Sequence, residues 1–275
     1  MSDYVIITDT SADIPADILD KGQIHLIPMV YQLNGEGCPH RNPGNWDSRD
    51  FYDKLRAGGT GSTSQISPAT YTDCFEPFLK EGKDILYISL SGGLTSTWQS
   101  SRIAAADLME AYPERKISCV DSLAATGGQG ILVILAAENQ NKGMSLEENT
   151  SWLEENRLYI CHWFTVDDLD FLKRGGRISA LTAAFGSLLN IKPIISIMPD
   201  GSLKSVGKVK GAKRVFSEFI RIMRHKKCDV QNYRVEVLQA DCKDTGDAFV
   251  DALKAEFGEN IQIDYQIVAP VIASH

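Results

Sequence analysis

The chain has 275 residues, a formal net charge of −8, 43% hydrophobic and 23% charged residues. That length suits one large or two medium domains, and the composition is that of a folded globular protein. The acidic balance argues against a nucleic-acid partner, which favours a basic face. No basic-then-apolar leader opens MSDYVIITDTSAD, and no apolar run approaches the roughly 20 residues that span a bilayer, so a cytoplasmic location is expected.

Val5-Ile-Ile-Thr8 predicts a buried strand, followed by a turn in which Asp13 caps a helix begun at Pro15. His25–Leu33 predicts a second strand, interrupted by Pro28. Residues 34–46 are rich in Gly, Pro and Asn and predict a loop. Helical spacing follows over Trp46–Leu55, and Ser67-Pro68 reads as N-cap and first helical residue. A strand over 84–90 leads into Ser91-Gly-Gly-Leu-Thr-Ser-Thr97 and a helix to about Tyr112. Lys116–Asp121 is a further strand. Gly127–Gly130 opens an apolar helix, and Ser145-Leu-Glu-Glu148 is a capping box for the next.

From about residue 156 the pattern changes. Leu158–Val166 predicts a strand, Asp168–Leu172 a short helix, and Ser179–Leu189 an apolar helix. Pro193–Met198 and Ser202–Lys210 flank Asp200-Gly201, a hairpin signal. A basic amphipathic helix over Ala212–Lys226 precedes strands at Tyr233–Ala240 and Ile261–Ala269, with a helix between. The expected fold is α/β in two domains. Residues 1–155 form a mainly parallel sheet with helices on both faces, and 156–275 an α+β domain.

Six scattered cysteines, without a C-x-x-C pair, suggest buried free thiols. Cys38-Pro-His40 offers two metal ligands, but no second pair accompanies it, so no metal is expected.

The hydroxyl-rich loop after the third strand suits an anion, and three uses of it differ. A phosphate loop needs a lysine, and none lies between Lys83 and Lys116. A nucleophile elbow would use Ser91, with Asp121 and His275 following in hydrolase order, but Ser89 occupies the first glycine position. This serine esterase or acyl hydrolase is the alternative function. A carboxylate needs only hydroxyls and helix-start N–H groups. With a long acyl tail, each buried methylene contributes about 0.8 kcal/mol and the head mainly fixes orientation.

Asp9-Thr-Ser11, Thr63-Ser-Gln65, Ser91–Ser100, Asp121-Ser122, Leu172-Lys-Arg-Gly-Gly-Arg-Ile-Ser179, Leu189–Ile194 and Ala269–His275 together resemble the DegV family of bacterial fatty-acid-binding proteins. The resemblance implies a fatty acid held between two α/β domains. It also implies a non-catalytic role as the lipid-carrying subunit of a fatty-acid kinase. A separate catalytic subunit binds ATP and converts the carboxylate to an acyl phosphate, a step toward phospholipid synthesis. Thr63 matches the family's carboxylate-binding threonine. Thr95 stands where many members have serine, and Ser96 where they have glycine. His275 matches the family's C-terminal histidine, here without the glycine-rich tail that follows it in relatives. Thr63, Ser64, Thr95, Ser96 and His275 are thus the expected head-group residues. Arg177, of the G-G-R-I motif, is expected to contact an anion or dock the kinase. Phe185, Leu188, Ile194 and Ile195 are expected to line an acyl tunnel. No cofactor is expected beyond the bound fatty acid.

Overall fold

Four buried parallel strands form the centre of the first half. The computed structural model describes residues 3–40, 46–167, 170–177 and 190–275. The strands are β1 (Tyr4–Asp9), β2 (Ile24–Ile27), and, later in the chain, Asp84–Ser89 and Ile117–Asp121. Between them run α1 (Ala16–Leu19), β3 (Met29–Leu33), β4 (Glu36–His40), α2 (Ser48–Arg56), β5 (Gly61–Ser64) and α3 (Pro68–Lys80). The two later strands are β6 and β7, separated by α4 (Thr97–Ala111) and followed by α5 (Thr126–Asn141) and α6 (Leu146–Asn156).

The sheet order is β2-β1-β6-β7, all parallel. Every residue of β6 is buried, because helices cover both faces of the sheet. Strand alternation divides the core into two layers. Ile6, Leu86 and Ile88 pack with Leu132 and Val133 of α5 and Leu153 of α6. Ile7, Ile85 and Tyr87 pack with Tyr71 and Phe75 of α3 and Ala104 and Leu108 of α4. The order reverses between β1 and β6, so their carboxyl ends frame the crevice where open α/β sheets bind ligands.

A buried polar chain ties this switch point together. The Tyr87 hydroxyl donates to Asp9 Oδ2 at 2.8 Å and lies 2.6 Å from the Tyr71 hydroxyl. Ser11 donates to Asp9 Oδ1, and Gln129 Nε2 donates to Thr8 Oγ1 at 3.0 Å. Asp9 and Ser11 are fully buried and committed to this network rather than to a ligand. Tyr87→Phe removes the link between Asp9 and Tyr71. The expected cost is about 2 kcal/mol, because a buried carboxyl loses a partner. Urea denaturation checks this, and a loss below about 0.5 kcal/mol would contradict it.

Pro28 does separate two strands, and it sends them to different sheets: β3 belongs to an antiparallel sheet of order β4-β3-β5. The expected loop over 34–46 is corrected in its first part. Asn34 (φ +55°) and Gly35 (φ +85°) turn β3 into β4, the two left-handed residues that a tight hairpin requires. Asp13 does not cap α1, whose N-cap Pro15 has no side-chain bond. Its Oδ1 instead accepts from the Ala269 N–H at 3.2 Å. The caps at Ser67 and Ser145 form as expected, the latter as a full capping box.

The second half begins with a 3₁₀ turn (Arg157–Tyr159), then β8 (Trp163–Phe164), α7 (Asp170–Arg174), β9 (Ile191–Ile197) and β10 (Leu203–Lys210). The nine-residue strand expected over Leu158–Val166 therefore shrinks to two residues, since most of that segment borders a cavity rather than a neighbouring strand. β9 and β10 form the expected hairpin across Gly201 (φ +78°) in the antiparallel sheet β10-β9-β8. α8 (Lys213–His225), β11 (Val235–Gln239), α9 (Lys243–Phe257) and β12 (Ile263–Ile267) complete this half, with β11 and β12 parallel. The expected helix over Ser179–Leu189, with Phe185 and Leu188, lies outside the described residues.

α10 (Pro270–Ala273) returns the chain to the first half. Val271 packs in the layer with Ile7, Tyr71 and Tyr87. A Cβ on Gly61 would sit 2.9 Å from Ser274 Cα, so only glycine lets the last residues lie this close to β5.

Candidate functional site

β5 and the residues after α10 bring together two groups 212 positions apart: Thr63 Oγ1 lies 2.6 Å from His275 Nε2. Both line a cavity of about 2450 Å³ between the halves of the molecule. Typical small-molecule pockets are roughly 300–1,000 Å³, so this space accepts an extended ligand.

The loop after α7 closes over His275. A Cβ on Gly175 would sit 2.7 Å from His275 Nδ1. Arg177 Nη1 donates to the Gly175 carbonyl, and Arg177 also lines the cavity. Burial, with the Arg177 guanidinium beside it, pushes the His275 imidazole down to about 4. The ring is therefore neutral near pH 7. The formal positive charge at this end of the cavity resides on Arg177.

Thr95 and Ser96 reach the same cavity from the loop before α4. Thr95 Oγ1 lies 2.9 Å from Thr97 Oγ1 and accepts from the Thr97 N–H at 3.3 Å. Ser96, at the N-cap position of α4, makes no side-chain capping bond and is exposed. The loop is anchored by Asp121, whose Oδ1 accepts from Gly92 N and Leu123 N, each at 3.0 Å.

Two expectations change at this site. Ser64 is exposed and does not border the cavity, because strand alternation turns it away from the face that carries Thr63 and Gln65. Gln65 lines the cavity instead, a residue that the period of two identifies once β5 is known to be a strand. Ile194 and Ile195 are wholly buried but are sheet core rather than cavity wall: Ile195 packs with Leu172, Phe164 and Leu203. On the same strand it is Ile197 that borders the space.

Ser91 is not placed as a nucleophile. Its buried hydroxyl donates to the Gly201 carbonyl at 2.9 Å and accepts from Gly93 N at 3.1 Å. Asp121 serves the loop backbone, and His275 pairs with Thr63, so the three members of that alternative do not assemble.

Leu90, Leu94, Ile131 and Leu135 form an apolar wall, faced by Val215, Phe216 and Phe249 of the second half. Polar groups also occur deep at this interface. The carboxyl of Glu236 lies over Gly127 and the ring of His162 over Gly128, positions where a Cβ would collide. Gln266 Nε2 donates to Glu236 Oε1 at 2.7 Å and to the Asp13 carbonyl at 2.8 Å. Asp13 Oδ2, Glu236 Oε2 and His162 Nε2 have no hydrogen-bond partner. Burial pushes the Asp13 and Glu236 carboxyls up to about 8 and the His162 imidazole down to about 4. Sequence reading did not find this cluster. Among the described residues no group of three or more His, Cys, Asp or Glu is disposed to hold a metal ion, and no helix is long and apolar enough to cross a membrane.

Residues 3–275 match a family model described as an uncharacterised protein, DegV family. A DegV domain-containing protein of Clostridium perfringens is 36% identical over 276 residues, covering 100% of this chain and 94% of that protein. Two solved structures share the fold. A DegV family protein from Thermus thermophilus, described by its fatty-acid binding, superposes with a TM-score of 0.85 at 28% identity, covering 100% of this chain and 95% of its own. A fatty-acid-binding DegV family protein from Streptococcus agalactiae gives 0.87 at 26%, with the same coverage.

Proposed function

Since this chain belongs to the DegV family, we propose that it binds a long-chain fatty acid between its two halves and presents the carboxylate to a separate ATP-dependent kinase subunit. The observation that carries this reading is the Thr63–His275 pair beside Arg177 at one end of a large, mainly apolar-walled cavity. The fatty-acid binding of the Thermus and Streptococcus relatives supports it.

The head-group chemistry follows from the residues. A carboxylate accepts hydrogen bonds only. Thr63, Thr95 and Ser96 supply hydroxyl donors, and Arg177 supplies the opposing charge. Neutral His275 donates through whichever ring nitrogen carries its proton. The tail contributes most of the affinity: at about 0.8 kcal/mol per buried methylene, an acyl chain grosses more than about 10 kcal/mol before ordering costs. The carboxylate must stay within reach of the partner, which transfers the γ-phosphoryl group of ATP to it. This chain's part is to hold, orient and desolvate the acyl chain.

Thr63→Ala separates the two tasks. Fatty-acid binding is expected to weaken by no more than about threefold, because the tail dominates. Acyl-phosphate formation with the kinase subunit is expected to fall at least about tenfold, because the carboxylate loses its alignment. Ligand titration and a phosphoryl-transfer assay on the same preparation check this. Equal losses in both would refute the positioning role.

A further inference from the structure

Three buried polar atoms lie at the seam where the two halves touch, and none has a partner among the described residues: Asp13 Oδ2, Glu236 Oε2 and His162 Nε2. Asp13 belongs to the turn after β1, Glu236 to β11 and His162 to the segment before β8. β11 packs against α5, and two glycines of α5 admit the side chains. A Cβ on Gly127 would lie 2.1 Å from Glu236 Oε2, and one on Gly128 1.5 Å from His162 Nε2. Gln266 ties the seam together, donating to Glu236 Oε1 at 2.7 Å and to the Asp13 carbonyl at 2.8 Å. His162 and Glu236 also border the cavity. Parting the halves here would hydrate the three atoms and open that space.

We propose that Asp13, Glu236 and His162 form a latch between the halves, held shut while the two carboxyls keep their protons, and that its release opens the cavity for exchange of the bound acyl chain. The exchange rests on the fatty-acid reading; the latch itself does not.

The direction follows from the surroundings of each group. Neutral carboxyls tolerate a sealed seam at the cost of unmade hydrogen bonds, whereas two carboxylates there are like charges without water. The cation that faces Glu236, Arg234, is already paired with Asp264 at 2.5 Å. On the other side, Asp13 Oδ1 accepts from the Ala269 N–H at 3.2 Å. Tyr52, which faces Asp13, is kept neutral by burial and donates to the Val268 carbonyl at 2.9 Å. Burial, with the Asp13 charge acting on Glu236 as well, pushes both carboxyls up to about 8, against about 4 in water. Opening the seam returns them to water and so releases protons below about pH 8. The open fraction therefore rises with pH through neutrality and levels off above about 8. Burial pushes the His162 imidazole down to about 4, so its ring stays neutral over that range.

The test treats the delipidated full chain with diethyl pyrocarbonate, which modifies neutral imidazoles, and follows His162 by peptide mass spectrometry. The sealed ring reacts only when the seam opens. Its labelling rate in the native chain is expected to rise at least about fivefold from pH 6.5 to 7.5, approaching the roughly tenfold per pH unit that one released proton brings. In the Asp13→Asn/Glu236→Gln chain it should change less than about twofold, since neither group can lose a proton. Asp13→Asn alone should show a smaller rise than the native chain, which keeps the test decisive where the double variant does not fold. In parallel, release of bound cis-parinaric acid should accelerate with pH in the native chain and not in the variant. His162 labelling that is flat in the native chain, or that rises equally in native and variant, overturns the latch. Labelling that rises as expected beside pH-independent release overturns its link to exchange. Failure of cis-parinaric acid to bind counts against the fatty-acid reading alone, and the labelling then decides the latch.

Discussion

Asp13→Asn should become steadily more stable relative to the native chain as the pH rises from 6.5 to 8. The Asp13 carboxyl is fully buried, at the turn after β1, with its Oδ2 unpartnered. Glu236 is its acidic neighbour, and each carboxyl disfavours the other's charge. Tyr52 also faces Asp13, and Asp264 and Arg234 face Glu236. Both folded carboxyls sit near 8, against about 4 for ordinary Asp and Glu. Between about pH 4 and pH 8 the unfolded chain has therefore released protons that the folded chain still holds. Stability falls with rising pH through that window and levels off above it. Three lowered histidines act in the opposite direction, His162 and His275 only between about 4 and 6.5, and His25, lowered by burial, only below about 6.5.

From pH 6.5 to 8, then, the carboxyls dominate over the histidines. Each is worth on the order of 2 kcal/mol over that interval. Removing one by Asp13→Asn, or Glu236→Gln, should flatten the curve by that amount. The asparagine also tolerates the positive φ of +41° at this position. Urea midpoints measured across the interval decide the matter, and parallel curves for the native and variant chains would refute the buried-carboxyl account.

Gly93→Ala should cost about 2–3 kcal/mol and at the same time disturb the hydroxyl-rich loop before α4. A Cβ at Gly93 would lie 2.5 Å from the Gly201 carbonyl carbon and 2.7 Å from the Asp200 carbonyl oxygen. These are backbone atoms of the β9–β10 turn, which cannot swing aside as a side chain can. The same turn accepts the Ser91 hydroxyl at Gly201, so the loop and the hairpin separate as a unit. Thr95 and Ser96 ride on that loop. The expected result is a lowered melting temperature with weaker acyl-phosphate formation. Gly22→Ala provides the contrast: nothing lies within 4 Å of its Cβ, and only the backbone strain of φ +72° is introduced. Equal melting temperatures for native and Gly93→Ala chains would contradict the close approach.

The central parallel sheet was legible because both signals that specify it are local. β6 reads as a continuous apolar run, and Ser67-Pro68 and Ser145-x-x-Glu148 mark helix starts through their own backbone bonds. β5 was not legible. Gly-Ser-Thr-Ser has little strand propensity, and it is a strand because β3 supplies its partner. The same gap hides which side of β5 faces the cavity, and so admits Ser64 in place of Gln65. Asn34-Gly35 carries a hairpin signal, obscured by the glycine and proline that follow.

The site itself was partly legible. Nothing local marks His275 for burial; only likeness to relatives singles it out as a head-group residue. Its environment comes from two elements distant in sequence, β5 and the Gly175 turn, between which α10 delivers it. The Asp13, His162 and Glu236 cluster depends on contacts between the halves, with glycines of α5 leaving room for two of its members. No spacing within the sequence encodes those contacts.

The most direct test of the account is the lipid content of the purified chain. Denaturation followed by mass spectrometry of the organic extract is expected to yield about one long-chain fatty acid per protein molecule, and delipidated protein is expected to take up added fatty acid at the same stoichiometry. An extract free of fatty acid, with no uptake by the delipidated protein, would contradict the central claim.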